Sequence, residues 1–491
     1  MRVRSPARPA RRPVAVRPAF ARARGAAALL ALAAATLAAS IARAEKPAVG
    51  AAPATDDTTP LVPGPPTDAP TAGVSVDTTF LRSANNLFIV FPSARLQVDG
   101  TFFSVQSVKS GFLLKRVRLE LAGWIGPGVY YNISGDFASP AGATDPAAQT
   151  FLASTDDYVA LAPFGDVAIL QAGQFDAPFT LENRISDRYT DFIERSQAVR
   201  SVGAPTNKEV GLMLHGLDER RLFYYSIGLF NGEGANFRNV DNQFDVIGRG
   251  TVAPLPLVAP GRFERISVGG SIWRGRHLSG LALPTQSTAG GFPFFNPRWT
   301  TGRDPVTTVE LHQQGRLLAY GFELDAPIGH RFGLRGEYVS RHQELAEDDI
   351  STVGMLRTLG NATLDAIGGY GEAWFWIVGD DQMLPRPGLE LPLRLPAVLD
   401  GAADDGLMVA ARVEFVKEDL RSDAPAIADP NVATTRLFTV TLGANYWYSK
   451  RFRFSVNYNL TMFGGTSENV RDITAANPNV HELLLRLAVA L

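Results

Sequence analysis

The chain contains no cysteine, six methionines and six histidines in 491 residues. Without cysteine there is no disulfide framework, no thiolate metal site and no cysteine nucleophile. The histidines (His215, His277, His312, His330, His342, His481) are scattered without ligand spacing, so no metal is expected from them. G-x-S-x-G, H-E-x-x-H and the Walker loop are absent. No catalytic residue and no cofactor is therefore assigned, and the chain does not read as an enzyme. The glycine cluster at 368–372 (GGYGE) fits small residues at a strand bend better than a nucleotide loop. Acidic groups such as Asp156-Asp157, Glu347-Asp348-Asp349 and Asp404-Asp405 fit solvated charge better than a calcium site. Beyond residue 41, no apolar run approaches the ~20 residues a spanning helix needs.

What is present begins with an export signal. Residues 1–24 carry eight arginines and no acid, 25–41 are a mostly apolar run of seventeen, and Ala42-Arg43-Ala44 forms an A-x-A-like cleavage site. The alternative, an uncleaved anchor, is disfavoured by a run that is short and rich in alanine. Cleavage after 44 removes nine arginines and no acid, leaving 38 Lys+Arg against 49 Asp+Glu, a net −11. So acidic a chain is not expected to bind nucleic acid. Residues 45–73 hold seven prolines and read as an extended, solvated linker. The expected organisation is a signal peptide at 1–44, a Pro-rich periplasmic linker at 45–86 and one β-domain at 87–491.

From 87 onward the texture is period-2 alternation. "RFRFSVNYNLTMF" (451–463) sets Phe452, Phe454, Val456, Tyr458, Leu460 and Met462 against Arg451, Arg453, Ser455, Asn457, Asn459 and Thr461. "KRVRLELAG" (115–123) sets Val117, Leu119 and Leu121 against Arg116, Arg118 and Glu120. The terminal "HELLLRLAVAL" sets Leu483, Leu485, Leu487 and Val489 against Glu482, Leu484, Arg486 and Ala488. A soluble β-sandwich also alternates, but its strands usually run ~5–6 residues, whereas a membrane strand needs ~9–11. Here the segments are long, aromatics sit near the ends of the apolar faces, and full charges stand mid-strand on the polar faces, as a wet lumen allows. Strands can span lipid only as a closed barrel, because every backbone group must pair internally.

The fold expected is all-β: a transmembrane antiparallel β-barrel of about sixteen strands with an inward-folded constriction loop. The candidate strands start near Ser93, Phe112, Gly128, Ala153, Asp166, Asn207, Arg220, Gln243, Phe263, Arg316, His330, Leu364, Asp405, Thr435, Arg451 and His481. Short connections alternate with long ones at 139–152, 176–206, 276–315 and 464–480, the rhythm of periplasmic turns and outer loops. Residues 380–404 break it, being long where a short turn is due.

Several stretches resemble the phosphate-selective porin O/P family of the bacterial outer membrane. They are "RLQVDGTFF" (95–103), "LLKRVRLELAG" (113–123), "AGQFDAPFTLENRISDRYTDFIERS" (172–196), "YSIGLFNGEG" (225–234) and "TLGANYWYSKRFRFSVNYNLTMF" (441–463). The similarity runs in order across roughly 87–491. It implies a sixteen-stranded, homotrimeric channel in outer-membrane lipid that passes small, phosphate-like anions by diffusion. Two departures stand out: the chain ends in Leu491 where porins usually end in Phe, and no lysine occurs between Lys115 and Lys208.

Period 2 places Arg95, Arg116, Arg118, Arg249, Arg335, Arg412 and Arg453 on inner faces, as candidate pore-lining cations. Asp99, Glu120, Asp136, Asp245, Glu337 and Glu414 share those faces, so the arginines either select anions or merely order the wall as ion pairs. Arg184, Arg188, Arg195 and Arg200 lie in the loop 176–206, among Glu182, Asp187, Asp191 and Glu194. A loop of that length is usually functional or disordered. The competing function is a structural or adhesive barrel whose pore is blocked by its loops.

Overall fold

The computed structural model describes residues 70–490, apart from 76–77, 86, 127, 139–152, 219, 221, 258–260, 279, 301–306, 353–356, 385–386, 389–404, 423–435 and 465–477. The expected signal and the first part of the expected linker lie outside these residues. Sixteen antiparallel strands form the barrel. They are β1 (Phe88–Phe103), β2 (Gly111–Ile125), β3 (Val129–Asp136) and β4, whose two pieces are Ala153–Ser154 and Asp157–Leu161. Next come β5 (Ile169–Asp176), β6 (Lys208–Leu217), β7 (Phe223–Phe230), β8 (Asp245–Val252) and β9 (Ser267–His277). The rest are β10 (Thr308–Ile328), β11 (Phe332–Asp349), β12 (Arg357–Val378), β13 (Gly406–Ser422), β14 (Arg436–Ser449), β15 (Phe452–Gly464) and β16 (Asn479–Ala490).

Each strand pairs with its neighbour in sequence, and β16 pairs back onto β1, from Glu482 opposite Phe103 to Ala490 opposite Arg95. Closure removes the sheet edge, which is the condition for crossing lipid with strands. Among the described residues no helix is long and apolar enough to cross a membrane. The alternation read from the sequence becomes an inside and an outside. Leu119, Leu121, Ile227 and Leu442 stand about half exposed on the outer wall, while Arg486, Asn457 and Glu482 are almost fully buried within. Such a continuous apolar exterior would be a liability in water and is the normal surface in hydrocarbon.

The stretch expected as linker is not wholly unstructured. Thr71–Ser75 and Thr78–Arg82 pair as a hairpin, and Leu81 and Arg82 lie opposite Val90 and Ile89 of β1. Strand pairing therefore begins before residue 87, inside the stretch expected as linker. The physical reason is the free flank of β1 below its pairing with β16, which offers unpaired backbone groups to a passing strand.

The barrel interior is filled by connections. Residues 177–207, between β5 and β6, fold inward as expected, burying Phe179, Leu181, Phe192, Val199 and Val202, with one π-helical turn at Ala198–Gly203. The loop between β9 and β10 also turns inward: Phe292, Phe294 and Phe295 are buried, and Gln286–Ser287 pairs with Pro293–Phe295. That second inward loop was not read from the sequence, although the aromatic cluster at 292–295 was visible there. From the other end comes the connection 379–405, long where a short turn was due. Its Asp381 accepts from Arg265 (2.7 Å), and its Gly388 carbonyl accepts from the buried Arg249 of β8 (2.7 Å).

Candidate functional site: a charged lumen around the inward loop

Buried backbone must find partners, and the loop 177–207 finds them on the barrel wall. The Leu181 and Glu182 amides donate to the Glu337 carboxylate of β11 at 2.6 and 2.8 Å. Ile193 N donates to Asn457 Oδ1 of β15 (2.6 Å), and Asn445 of β14 donates to the Asp191 carbonyl (2.7 Å). Arg412, Arg453 and Arg486 donate to the carbonyls of Glu194, Thr190 and Ile193 at 3.2, 3.0 and 2.5 Å. Five strands thus grip one loop, which fixes its position across the lumen.

The loop's acids then meet the wall's cations. Asp187 contacts Arg95 and lies 2.5 Å from Arg116 and 3.8 Å from Arg118. Arg118 is also near Asp136 and Asp156, at 3.7 and 3.8 Å. Asp191 pairs with Arg335 (2.5 Å), which holds Asp325 and Glu372 as well. Glu182 pairs with Arg412 (3.2 Å), and Glu194 with Arg486 and Lys115 (3.0 and 2.9 Å). Burial opposes ionisation of Asp187, yet Arg116, Arg95 and Arg118 outweigh it and hold its carboxyl well below the usual carboxylate range. Burial likewise opposes ionisation of Glu194, and Lys115 and Arg486 pull it down in the same way.

All seven arginines assigned to the inner face are on the inside, but they do not act as one ladder. Arg95, Arg116 and Arg118 converge on Asp187. Arg249 is bound by Glu323 of β10 through two contacts, at 2.6 and 2.9 Å. Arg335 and Arg412 are held by the acids above. Arg453 has no carboxylate partner among the described residues; it stacks over the Trp447 ring at 5.7 Å. Ion pairing thus accounts for six of the seven. The partners include the loop acids Glu182, Asp187 and Asp191 as well as the wall acids Asp136, Glu323, Asp325, Glu372 and Glu414.

Inner cations not singled out as site residues include Arg486 and Arg341. Arg486 is fully buried and grips Asp99 at 2.7 Å through two nitrogens. Its even-numbered face in the last strand was the signal. Arg341 of β11 lies over the Trp273 ring at 5.3 Å and donates to the Gly203 carbonyl (3.1 Å). Its signal was the period-2 alternation that places Arg335 and Glu337 on the same odd-numbered inner face.

The loop arginines divide likewise. Arg184 donates to the Asp176 carbonyl, and Arg188 stacks over Tyr189 at 5.9 Å. Arg195 and Arg200 are held by neutral groups. Arg195 donates to the Glu182 and Ile185 carbonyls at 2.9 and 2.7 Å. Arg200 donates to the carbonyls of Arg195 and Ser287 and to Gln197 Oε1, at 3.1, 3.2 and 2.6 Å. A guanidinium positioned by carbonyls keeps its full charge and points it where an anion can use it. A cavity of about 290 Å³ opens between the two inward loops, lined by Arg116, Arg195 and Arg200 with Asn183, Gln197 and Asn207. Among the described residues no Asp or Glu lines it.

Residues 94–275 match the family model described as phosphate-selective porin O and P. No curated protein matches in sequence. Among solved structures, similarity extends to OmpT lacking loop L8, an outer membrane protein of Vibrio cholerae, at 9% identity over 82% of this chain and 100% of that one, TM-score 0.47. It extends also to an anion-selective porin from Comamonas acidovorans, at 11% identity over 82% and 99%, TM-score 0.41. The outer membrane channel DcaP of Acinetobacter baumannii aligns at 11% identity over 82% and 97%, TM-score 0.44. Residues 94–275, a little over a third of the chain, thus resemble the phosphate-selective porin O and P family, and they lie on a closed sixteen-stranded antiparallel barrel.

Proposed function

We propose that this porin prefers small anions, phosphate-like solutes among them, and that the cavity between its two inward loops is the narrow part of the path. The observation that carries this reading is the lining of that cavity: Arg116, Arg195 and Arg200, with no carboxylate among the described residues. Elsewhere in the lumen acids pair with most of the wall arginines, Arg341 and Arg453 excepted, so selectivity rests on the few cations whose charge is exposed to the path. Arg116 contributes in part, being shared with Asp187, whereas Arg118 is spent on three acids. Rings of Arg and Lys set anion selectivity in pores in this way. Export through the signal at 1–44 and assembly as a homotrimer belong to the same reading and rest on the sequence and the family.

A second reading keeps one observation in its favour. Two loops and Gly388 pack deep in the lumen, which suits a blocked barrel with a structural or adhesive role. Planar-bilayer recording separates the two. The porin reading expects open single-channel steps, a reversal potential on the Cl⁻ side in a KCl gradient, and a shift toward K⁺ when Arg195 and Arg200 are replaced by Ala. Absence of any open step supports the blocked barrel. An open channel that prefers K⁺ refutes the anion reading.

A further inference from the structure

Away from this path, on the side of the long loops, three side chains from two elements converge. Glu233 and Asp241 come from the loop between β7 and β8, and His277 is the last residue of β9. One donor atom from each lies within 4.8 Å of the others. All three residues are at least nine-tenths buried. We propose that Glu233, Asp241 and His277 bind a divalent transition-metal ion of the zinc type.

The argument begins with what these groups lack. Neither ring nitrogen of His277 has a hydrogen-bond partner in the protein, nor has Glu233 Oε1. Asp245 Oδ1 stands 3.6 Å from His277 Nε2, within ion-pair range of a protonated ring but longer than a hydrogen bond. No lysine or arginine among the described residues forms an ion pair with Glu233 or Asp241. Buried carboxylates without a cation are costly, and buried polar atoms are normally satisfied. One divalent ion would answer both deficits, cancelling two carboxylate charges and taking the imidazole lone pair.

The local backbone is built for the convergence. Gly232 and Gly234 flank Glu233 with φ of +83° and +84°, and a Cβ on Gly232 would come 2.8 Å from the His277 ring. Backbone amides anchor both carboxylates: Leu278 N (2.6 Å) and Gln243 N (2.9 Å) donate to the two oxygens of Asp241, and Leu281 N donates to Glu233 Oε2 (3.3 Å). Asp245, beside the imidazole and fixed by Trp273 Nε1 at 2.7 Å, is placed as the outer partner that orients a metal-bound histidine. Donors around a zinc ion at ~2.1 Å sit about 3.4 Å apart, so a small inward closure completes the shell. Imidazole with two carboxylates suits zinc, whereas calcium takes about six to eight oxygens, which this site does not offer. The ion would tie the loop 231–244 to the root of the loop that forms one wall of the anion cavity.

The test uses the folded, full-length barrel, stripped with a chelator and checked by heat-dependent gel mobility. Zn²⁺ is titrated against a competing chromogenic chelator. One tight equivalent per chain is expected, with Ca²⁺ at the same concentration failing to displace it. His277→Ala and, separately, Glu233→Gln should each weaken binding by about tenfold or more, while His342→Ala on β11 should not. Two variants guard against one that does not fold. The proposal falls if the wild-type barrel takes up no tight equivalent, if His277→Ala binds as well as wild type, or if Ca²⁺ displaces the zinc.

Discussion

Replacing Asp187 by Asn should make the channel more anion-selective, by an amount that depends on salt. Asp187 is the only carboxylate in ion-pair range of Arg95 and Arg116 among the described residues, whereas Arg118 keeps Asp136 and Asp156. The substitution keeps the side-chain shape and removes one negative charge, so two guanidiniums are left uncompensated beside the path. An ion passing ~8 Å away in a water-like lumen changes its energy by ~0.5 kcal/mol. At 0.01 M salt the screening length is ~30 Å and about 0.4 kcal/mol survives; at 0.15 M it is ~8 Å and about 0.2 kcal/mol survives. The change has opposite sign for Cl⁻ and K⁺, so their permeability ratio should rise about fourfold at 0.01 M and about twofold at 0.15 M. Reversal potentials in KCl gradients at both salts measure this directly, on barrels shown to be folded by heat-dependent gel mobility. An unchanged reversal potential at low salt, or a shift toward K⁺, would refute the reasoning. The charge at Asp187 would then lie off the ion path.

Two further outcomes follow from the same geometry. Val456 faces outward and Asn457 inward, so Val456→Arg should cost the barrel ~2–4 kcal/mol near the membrane midplane. Asn457→Ala should leave the barrel's urea midpoint nearly intact but weaken the loop's seat by ~1–3 kcal/mol, because the Ile193 amide loses its acceptor. Equal loss of folded barrel in both variants would overturn the register. Asp187 and Glu194 are held below their ordinary range, so their ion pairs are fully in place above the unfolded carboxylate pKa of ~4 and fade only as pH falls beneath it. Asp187 and Glu194 should therefore contribute no conductance transition between pH 7 and about 4, and their contribution should appear only in more acidic solution. A transition centred between pH 5 and 7 that Asp187→Asn abolishes would contradict this sign.

Much of the barrel was legible because its signal is local. Side chains alternate across a strand with a period of two, so "RFRFSVNYNLTMF" alone tells its lipid face from its lumen face. Each expected strand start falls close to a strand of the barrel, and the final segment closes against β1. The inward loop was readable from its length and charge. What a residue meets across the lumen was not readable, since closure joins positions far apart in the chain. Arg95 and Asp187 are 92 residues apart, and Arg486 and Asp99 are 387 apart. Alternation says that an arginine points inward; only the folded barrel says whether a loop acid waits there. That is why Arg118, two residues from Arg116 on the same face, is neutralised while Arg116 reaches the cavity. It is also why His277, one of six scattered histidines, meets Glu233 and Asp241 only when β7, β8 and β9 lie side by side. Sequence determined the strands, their faces and the loop that enters the pore. Tertiary structure decided which charges remain for a passing ion, because a Coulomb interaction depends on distance in space and not on separation along the chain.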